Sequence, residues 1–114
     1  MTRQQEWASR AWDQVALRKG RSSAAEWRSV ALAAPALLQQ SGACQAVAFW
    51  SSRRGEAPAD YLTDLAAVIG ITAEELGQQS RTAQLAAYLV LSRTLIDAAC
   101  WLRRIAQAEM EADG

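Results

Sequence analysis

The sequence predicts an all-α protein, a compact bundle of about five to six helices with a long central C-terminal helix. Apolar residues recur at spacings of three and four along most of the chain, which is the periodicity of an amphipathic helix. They never alternate with polar residues over a sustained stretch, and alanine, a strong helix former, is abundant. Because 51% of the residues are hydrophobic and no linker divides the chain, residues 1–114 are expected to form one domain.

The first helix is predicted from about Thr2 to Lys19, and Gly20 ends it. Apolar side chains form one stripe along this segment: Trp7, Ala8, Ala11, Trp12, Val15 and Ala16. Charged side chains on the opposite face are spaced to pair within the helix: Arg3, Glu6, Arg10 and Asp13. We interpret that face as exposed to solvent.

Two further helices are predicted, over residues 23–42 and residues 43–54. Ser23, with Glu26 three residues later, has the form of a capping box and opens the first of them. Pro35 removes one backbone donor and crowds the preceding turn, so a kink or a short break is expected there.

The remaining helices are predicted over residues 59–69, 72–79 and 82–109. Thr72 and Glu75 form a second capping box. The last helix is apolar over most of its circumference, through Leu89, Leu95, Ile96, Ala99, Leu102, Ile105 and Ala106. A helix with so little polar surface is expected at the centre of the bundle.

The composition argues against an enzyme. The chain has no histidine, which removes the commonest general base and metal ligand. The cysteines, Cys44 and Cys100, are far apart and are expected to be buried reduced thiols. Asp60 and Asp64 lie one turn apart on a helix flank that is expected to be exposed, but two carboxylates without a third ligand are a poor metal site. We expect no catalytic residues, no metal and no cofactor.

The basic residues are the remaining candidates for a functional site. Lys and Arg total 12, as do Asp and Glu, so the net charge is zero and any nucleic-acid contact must come from local patches. Several basic residues have no acidic residue three or four positions away on the same helix, namely Arg18, Lys19, Arg21, Arg53, Arg54, Arg103 and Arg104. Arginine suits phosphate oxygens well. The alternative is that these side chains are solvated at helix ends, where a cation interacts favourably with the negative C-terminal end of the helix dipole.

Phe49 and Trp50 are adjacent on a predicted helix, so one ring must point away from the core face. An exposed Trp50 would suit a protein interface or a base-stacking platform, whereas the other interpretation places Trp50 in the core.

Residues 71–93, ITAEELGQQSRTAQLAAYLVLSR, have the outline of a helix-turn-helix. A recognition helix presents polar side chains to base edges at its N-terminal end. Here the second helix begins with LAAYLVL, and these side chains are expected to be buried in the core. A helical DNA-binding regulator is therefore the alternative function and not the first.

The order of segments resembles the small subunit of the type III-B CRISPR (Cmr) effector complex. The resemblance rests on an N-terminal QxWAxxAWxxV helix, a helix that runs into AAPALLQQSG, the helix GACQAVAFW with a basic pair after it, a YLTDL helix and a C-terminal LIDAACWLRRIAQA. The related small subunit of the type III-A complex fits this order less well.

The resemblance implies a non-catalytic helical subunit that is present in several copies and stacks beside the backbone of the complex. Its expected partners are other Cmr subunits (backbone and large subunit), further copies of itself, guide RNA and target RNA, with no membrane and no small-molecule substrate. The N-terminus, MTRQQEW, lacks the apolar core of a signal peptide, and the longest apolar run, Leu85–Leu91, is shorter than the ~20 residues of a membrane span. We therefore expect a cytoplasmic protein.

Overall fold

The structure is a computed structural model that describes residues 1–110. Over that range the chain forms five helices: α1 (Arg3–Lys19), α2 (Ala24–Ser52), α3 (Glu56–Ile69), α4 (Ala73–Thr82) and α5 (Leu85–Glu109). The described residues contain no strand. The all-α fold class predicted from the apolar spacing is confirmed.

Helix α5 lies at the centre of the bundle and packs against each of the other four helices. Its inward side is formed by Leu91, Leu95, Ala98, Ala99, Leu102, Ile105 and Ala106. By length and hydropathy alone this helix could also cross a membrane. A core helix of a bundle has the same composition, however, and these buried residues form part of one core with α1, α2 and α3.

Helix α2 joins the two helices that were predicted separately. Its only non-helical dihedrals are at Gly42, where φ is 79° and ψ is 169°. Such a conformation is open essentially to glycine alone. Pro35 lies within the helix, and the backbone dihedrals around it stay helical although the proline removes one backbone donor. The expected short break at Pro35 is therefore wrong, and the chain bends at Gly42.

Side chains of α5 satisfy the backbone donors that the bend in α2 leaves free. The Cys44 N–H donates to the Tyr88 hydroxyl at 3.1 Å, and the Ala43 N–H donates to Ser92 Oγ at 3.4 Å. These donors begin a new helical segment and lack partners one turn earlier. The bend is therefore held by the central helix.

Two capping boxes are present, at Thr72 with Glu75 and at Thr2 with Gln5. The first was predicted; the second uses glutamine, which can make the same return hydrogen bond. The predicted box at Ser23 is wrong. Ser23 has φ −89° and ψ 9°, outside the extended conformation of a cap residue, and its side chain makes no capping hydrogen bond.

Helix α3 begins earlier than the predicted residue 59. Pro58 falls in its first turn, where a backbone N–H would have no partner within the helix, so the proline costs no hydrogen bond. Gly55, with φ 96°, lets the chain turn sharply between α2 and α3. This turn positions the two arginines described below.

The three largest fully buried side chains of the described residues are aromatic and lie between α2 and α3: Trp27, Trp50 and Tyr61. The Tyr61 ring lies 5.8 Å from Trp27 and 5.1 Å from Trp50, centroid to centroid. The Tyr61 hydroxyl has no hydrogen-bond partner among the described residues. Burial raises the pKa of this hydroxyl well above its ordinary value, because the phenolate would lose its hydration.

Candidate nucleic-acid interface

The end of α2 exposes one aromatic ring and buries its neighbour. Phe49 is 45% exposed, whereas Trp50 is 2% exposed and packs edge-on against Tyr61. Successive residues of a helix point about 100° apart, so only one of the pair reaches the core. Trp50 as an exposed interface residue is therefore wrong, and Phe49 occupies the surface position instead.

Arg53 and Arg54 lie in the turn that follows this ring. Helix α2 ends at Ser52, and Arg53 has extended dihedrals (φ −75°, ψ 148°). Both arginines are exposed. The Arg53 guanidinium lies 5.2 Å from the centroid of the Phe49 ring, within cation–π distance. Within residues 1–110 neither arginine forms an ion pair, so both guanidinium groups are available to an anion.

A groove of about 470 Å³ opens beside these residues. One wall comes from the first half of α2, through Glu26, Val30 and Leu37, and the other from Phe49, Trp50 and the two arginines. Its lining combines apolar side chains, an exposed aromatic ring, two cations and one carboxylate. Such a surface can bind an anion and stack a planar group.

Arg18 is not part of an exposed basic surface. It is 8% exposed, and its Nε and Nη2 donate to the two Asp64 carboxylate oxygens at 2.8 and 2.9 Å. Trp27 Nε1 donates to the same carboxylate at 2.9 Å, and Asp60 lies 3.5 Å from Arg18. The expectations of a free Arg18 and of an exposed Asp64 are both wrong, because each group neutralises the other in the interior.

The position of Arg18 follows from the apolar stripe of α1. The buried residues of that helix are Trp7, Ala11, Val15 and Arg18, at spacings of four, four and three. The hydrogen bond to Asp64 raises the pKa of the Arg18 guanidinium. Burial raises the pKa of the Asp64 carboxyl, while the bonds from Arg18 and Trp27 oppose that rise. The helical spacing could have indicated this burial from the sequence.

Arg18 belongs to a cluster of basic residues at the end of α1, together with Lys19 and Arg21. The last two are exposed, but they differ in their ion-pair partners. Lys19 Nζ lies 3.3 Å from the Glu109 carboxylate of α5. Arg21 lies in the turn after α1 and forms no ion pair with the described part of the chain. Within residues 1–110, Arg21 is therefore the one residue of this cluster that is both exposed and without an ion pair.

Arg103 and Arg104 form a separate exposed patch on α5. They line a shallow depression with Pro35, Cys100 and Gln107, and neither lines the groove beside Phe49. The Arg104 guanidinium lies 5.8 Å from the centroid of Trp101. The predicted basic residues thus lie on more than one patch. Cys100 is exposed, so the expectation of a buried thiol is wrong for it.

An apolar surface patch was missed by the sequence reasoning. Leu85, Leu89 and Val90, in the first turns of α5, are 73%, 55% and 64% exposed. The predictions that LAAYLVL is a core segment and that Leu89 is a core residue are therefore wrong. At the start of α5, no other helix covers the side that carries Leu85, Leu89 and Val90 in the described structure. The same residues offer no hydrogen bonds to base edges, which still disfavours a recognition helix.

The described residues hold no group of three or more Cys, Asp or Glu side chains that could bind a metal ion. The carboxylate pair considered from sequence, Asp60 and Asp64, is engaged with Arg18. The surface features that remain suit binding: guanidinium groups, an exposed ring and an apolar patch.

Residues 3–109 match the family model described as CRISPR-associated protein (Cas_Cmr5). The chain belongs to the Cas_Cmr5 family. It is 40% identical over 111 residues to the CRISPR system Cmr subunit Cmr5 of Thermus thermophilus, covering 96% of this chain and 97% of that protein. Its fold is similar to the crystal structure of a CRISPR-associated Cmr5 family protein from the same organism, with a TM-score of 0.93, 40% identity, and coverage of 97% of this chain and 99% of the other. The resemblance to the small Cmr subunit is confirmed.

Proposed function

We propose that this chain is the non-catalytic small subunit of a type III-B (Cmr) CRISPR effector complex. Several copies stack beside the backbone and help to hold the guide RNA and target RNA. The observation that carries the proposal is the similarity to Cmr5 proteins over nearly the whole chain and the whole fold. Similarity of this extent spans all five described helices, in contrast to a shared short motif.

The distribution of charge supports an RNA-holding role within a larger assembly. Zero net charge gives the isolated chain no broad attraction for RNA, whereas local arginine patches neutralise phosphates once the RNA is held nearby. Phosphate contacts carry affinity and not sequence, and in a guide-directed complex base pairing supplies the sequence specificity. Arg21, the Arg53–Arg54 pair and the Arg103–Arg104 pair are the proposed RNA-contacting residues.

The exposed apolar patch supports stacking against protein. Leu85, Leu89 and Val90 are adjacent on one helix, and apolar surface of this kind is stabilised when a partner removes it from water. We assign this patch to contacts between copies of the chain. Cleavage and signalling then belong to the backbone and large subunits, and this chain works in the cytoplasm without a cofactor.

Affinity purification of the tagged chain from its native cells tests the proposal. We expect the other Cmr subunits and a guide RNA to co-elute, and the isolated chain to bind RNA weakly. A chain that elutes alone and binds duplex DNA as a dimer would instead be a DNA-binding regulator. Co-elution with type III-A subunits would place it in that complex.

A further inference from the structure

We propose that the groove beside Phe49 binds one unpaired nucleotide of RNA, with the base stacked on Phe49 and the phosphate held by Arg53 and Arg54. The inference rests on the proposed function, because it names the part of the RNA that this surface takes. It adds a defined binding site to what was a general role in holding RNA.

The groove has the volume of a small-ligand site. Its volume of about 470 Å³ lies within the range of about 300–1,000 Å³ that is typical of such sites. Val30 and Leu37 supply apolar surface from the first half of α2, and Pro58 adds apolar surface from α3. A base can thus be removed from water on more than one side.

Phe49 supplies the stacking surface. Phe49 stays 45% exposed although the Arg53 guanidinium lies 5.2 Å from the centroid of its ring, while its neighbour Trp50 is buried in the groove wall. Bases within a duplex already have both faces covered by their neighbours, so an exposed ring is available only to a base that has left the stack. This selects an unpaired nucleotide over a paired one.

Arg53 and Arg54 supply the phosphate site. Both lie in the turn after α2, and neither forms an ion pair within residues 1–110. The planar fork of arginine matches two phosphate oxygens. A nucleotide carries a planar base and a negatively charged phosphate. The groove places an aromatic ring next to two cations, so it can bind both parts at once.

Among residues 1–110, Glu26 is the one carboxylate that lines the groove. It repels a phosphate, so the phosphate is expected beside the arginines and not beside Glu26. As an acceptor it can take hydrogen bonds from amino and ring N–H groups of a base. The groove therefore has complementary chemistry for both parts of a nucleotide.

The test is an NMR titration of the ¹⁵N-labelled full chain with a short single-stranded RNA at low salt. In the wild-type chain we expect shifts at the Trp50 indole N–H and at the Arg53 and Arg54 side chains. Phe49→Leu keeps an apolar side chain but removes the stacking face, and should weaken binding by about 5- to 150-fold with an unchanged salt slope. Phe49→Tyr should retain binding.

The arginines are tested in parallel. Replacing Arg53 and Arg54 with alanine should weaken binding and reduce the magnitude of the salt slope by about 0.7 for each lost phosphate contact to a single strand. The matched control replaces Arg81 and Arg93 with alanine, which removes the same charge from exposed positions outside the groove and should leave the Trp50 indole signal shifting as in the wild type. Circular dichroism checks that each variant is folded.

Two results would overturn the inference. One is a Phe49→Leu chain that binds the RNA as tightly as wild type; the other is a set of shifts that leaves the groove residues unchanged. Either result leaves the proposed function standing if guide RNA still co-purifies with the complex. If no RNA co-purifies with the tagged chain, the proposed function itself fails. The affinity purification and the NMR titration therefore test the two proposals separately.

Discussion

At the scale of single residues, two polar groups buried in the same core differ in their hydrogen bonding. The Asp64 carboxylate accepts three hydrogen bonds, from Arg18 and Trp27. The Tyr61 hydroxyl, on the same helix, accepts and donates none within the described residues. A buried group without partners loses its hydration without compensation. Tyr61 therefore contributes to stability through its ring and not through its hydroxyl.

We predict that Tyr61→Phe leaves the stability of the chain unchanged or raises it. The variant keeps both ring contacts with Trp27 and Trp50 and removes an unsatisfied hydroxyl, which costs about 1–3 kcal/mol when buried. Urea denaturation measures the free energy of unfolding. A loss of more than about 1 kcal/mol would show that the hydroxyl is bonded in solution.

The same residue predicts an alkaline effect on stability. Burial raises the pKa of Tyr61 in the folded chain, so ionisation of this tyrosine favours the unfolded chain as the pH rises above the unfolded pKa of about 10 and has no effect well below it. The free energy of unfolding of the wild type should fall by up to about 1.4 kcal/mol per pH unit relative to Tyr61→Phe. Denaturation of both proteins between about pH 9 and about pH 11 measures this difference. Equal slopes would contradict the prediction.

At the scale of the helices, two features fix how the elements meet. One is the bend of α2 at Gly42, which α5 covers with Tyr88 and Ser92. The other is the buried ion pair, which joins α1 through Arg18 to α3 through Asp64 and to α2 through Trp27. Both depend on side chains from helices that are distant in sequence.

We predict that Gly42→Ala is destabilising by about 1–3 kcal/mol, because its dihedrals are essentially restricted to glycine. A Cβ at this position would also lie 2.7 Å from the Tyr88 hydroxyl. Thermal or urea denaturation measures the loss. The control is Gly20→Ala, where φ is −94° and no atom lies within 4 Å of the new Cβ, so stability should be unchanged or slightly higher.

Adding Tyr88→Phe to Gly42→Ala separates the two causes. On a Tyr88→Phe background, which by itself loses the hydrogen bond from the Cys44 N–H, Gly42→Ala keeps the backbone strain but no longer meets the hydroxyl, so only part of its cost should be recovered. Full recovery would show that the contact, and not the dihedral angle, sets the cost.

Removal of Arg18 should be far more costly than removal of a nearby exposed arginine. Arg18→Ala leaves the Asp64 carboxylate buried without its main partner, and such changes cost about 3–5 kcal/mol. Arg21→Ala, the matched control, should change the free energy of unfolding by no more than about 0.5 kcal/mol. Equal effects of the two substitutions would contradict the buried ion pair.

At the scale of the whole molecule, a well-formed core coexists with an uncovered apolar patch and separated basic patches. The start of α5 exposes leucine and valine, while its C-terminal part is buried in the bundle. One helix therefore supplies both the centre of the fold and an exposed apolar surface. This division suits a subunit whose proposed role is to connect copies and hold RNA.

We predict that Leu89→Gln combined with Val90→Thr weakens stacking of the chain within the complex and leaves the isolated chain folded. Both side chains are exposed, so their loss from the monomer costs little, whereas a stacking contact would lose apolar surface. Mass measurement of the purified complex reports the number of copies bound. Leu17→Gln, an exposed leucine on α1, is the control and should leave the copy number unchanged.

The fold class, the central α5 and the capping box at Thr72 were predictable because each depends on residues close together in the chain. Helical periodicity and the hydrogen bonds of a helix end are local properties. The same local rules failed at Pro35 and Ser23, where the observed backbone differs from the commonest outcome of the motif. The helix boundaries predicted at residues 42 and 54 fall close to the bend at Gly42 and the turn at Gly55, because positive φ is largely a property of glycine.

The candidate site depended on partners that local spacing does not reveal. Arg18 and Asp64 are 46 positions apart, and Lys19 and Glu109 are 90 apart, so a search for acids one turn away counted both cations as free. The exposure of Phe49 over Trp50 was settled by which ring reaches Tyr61 on another helix. Local sequence determines whether a segment is helical, whereas burial and charge pairing depend on which distant surfaces meet, and packing of the helices alone decides that.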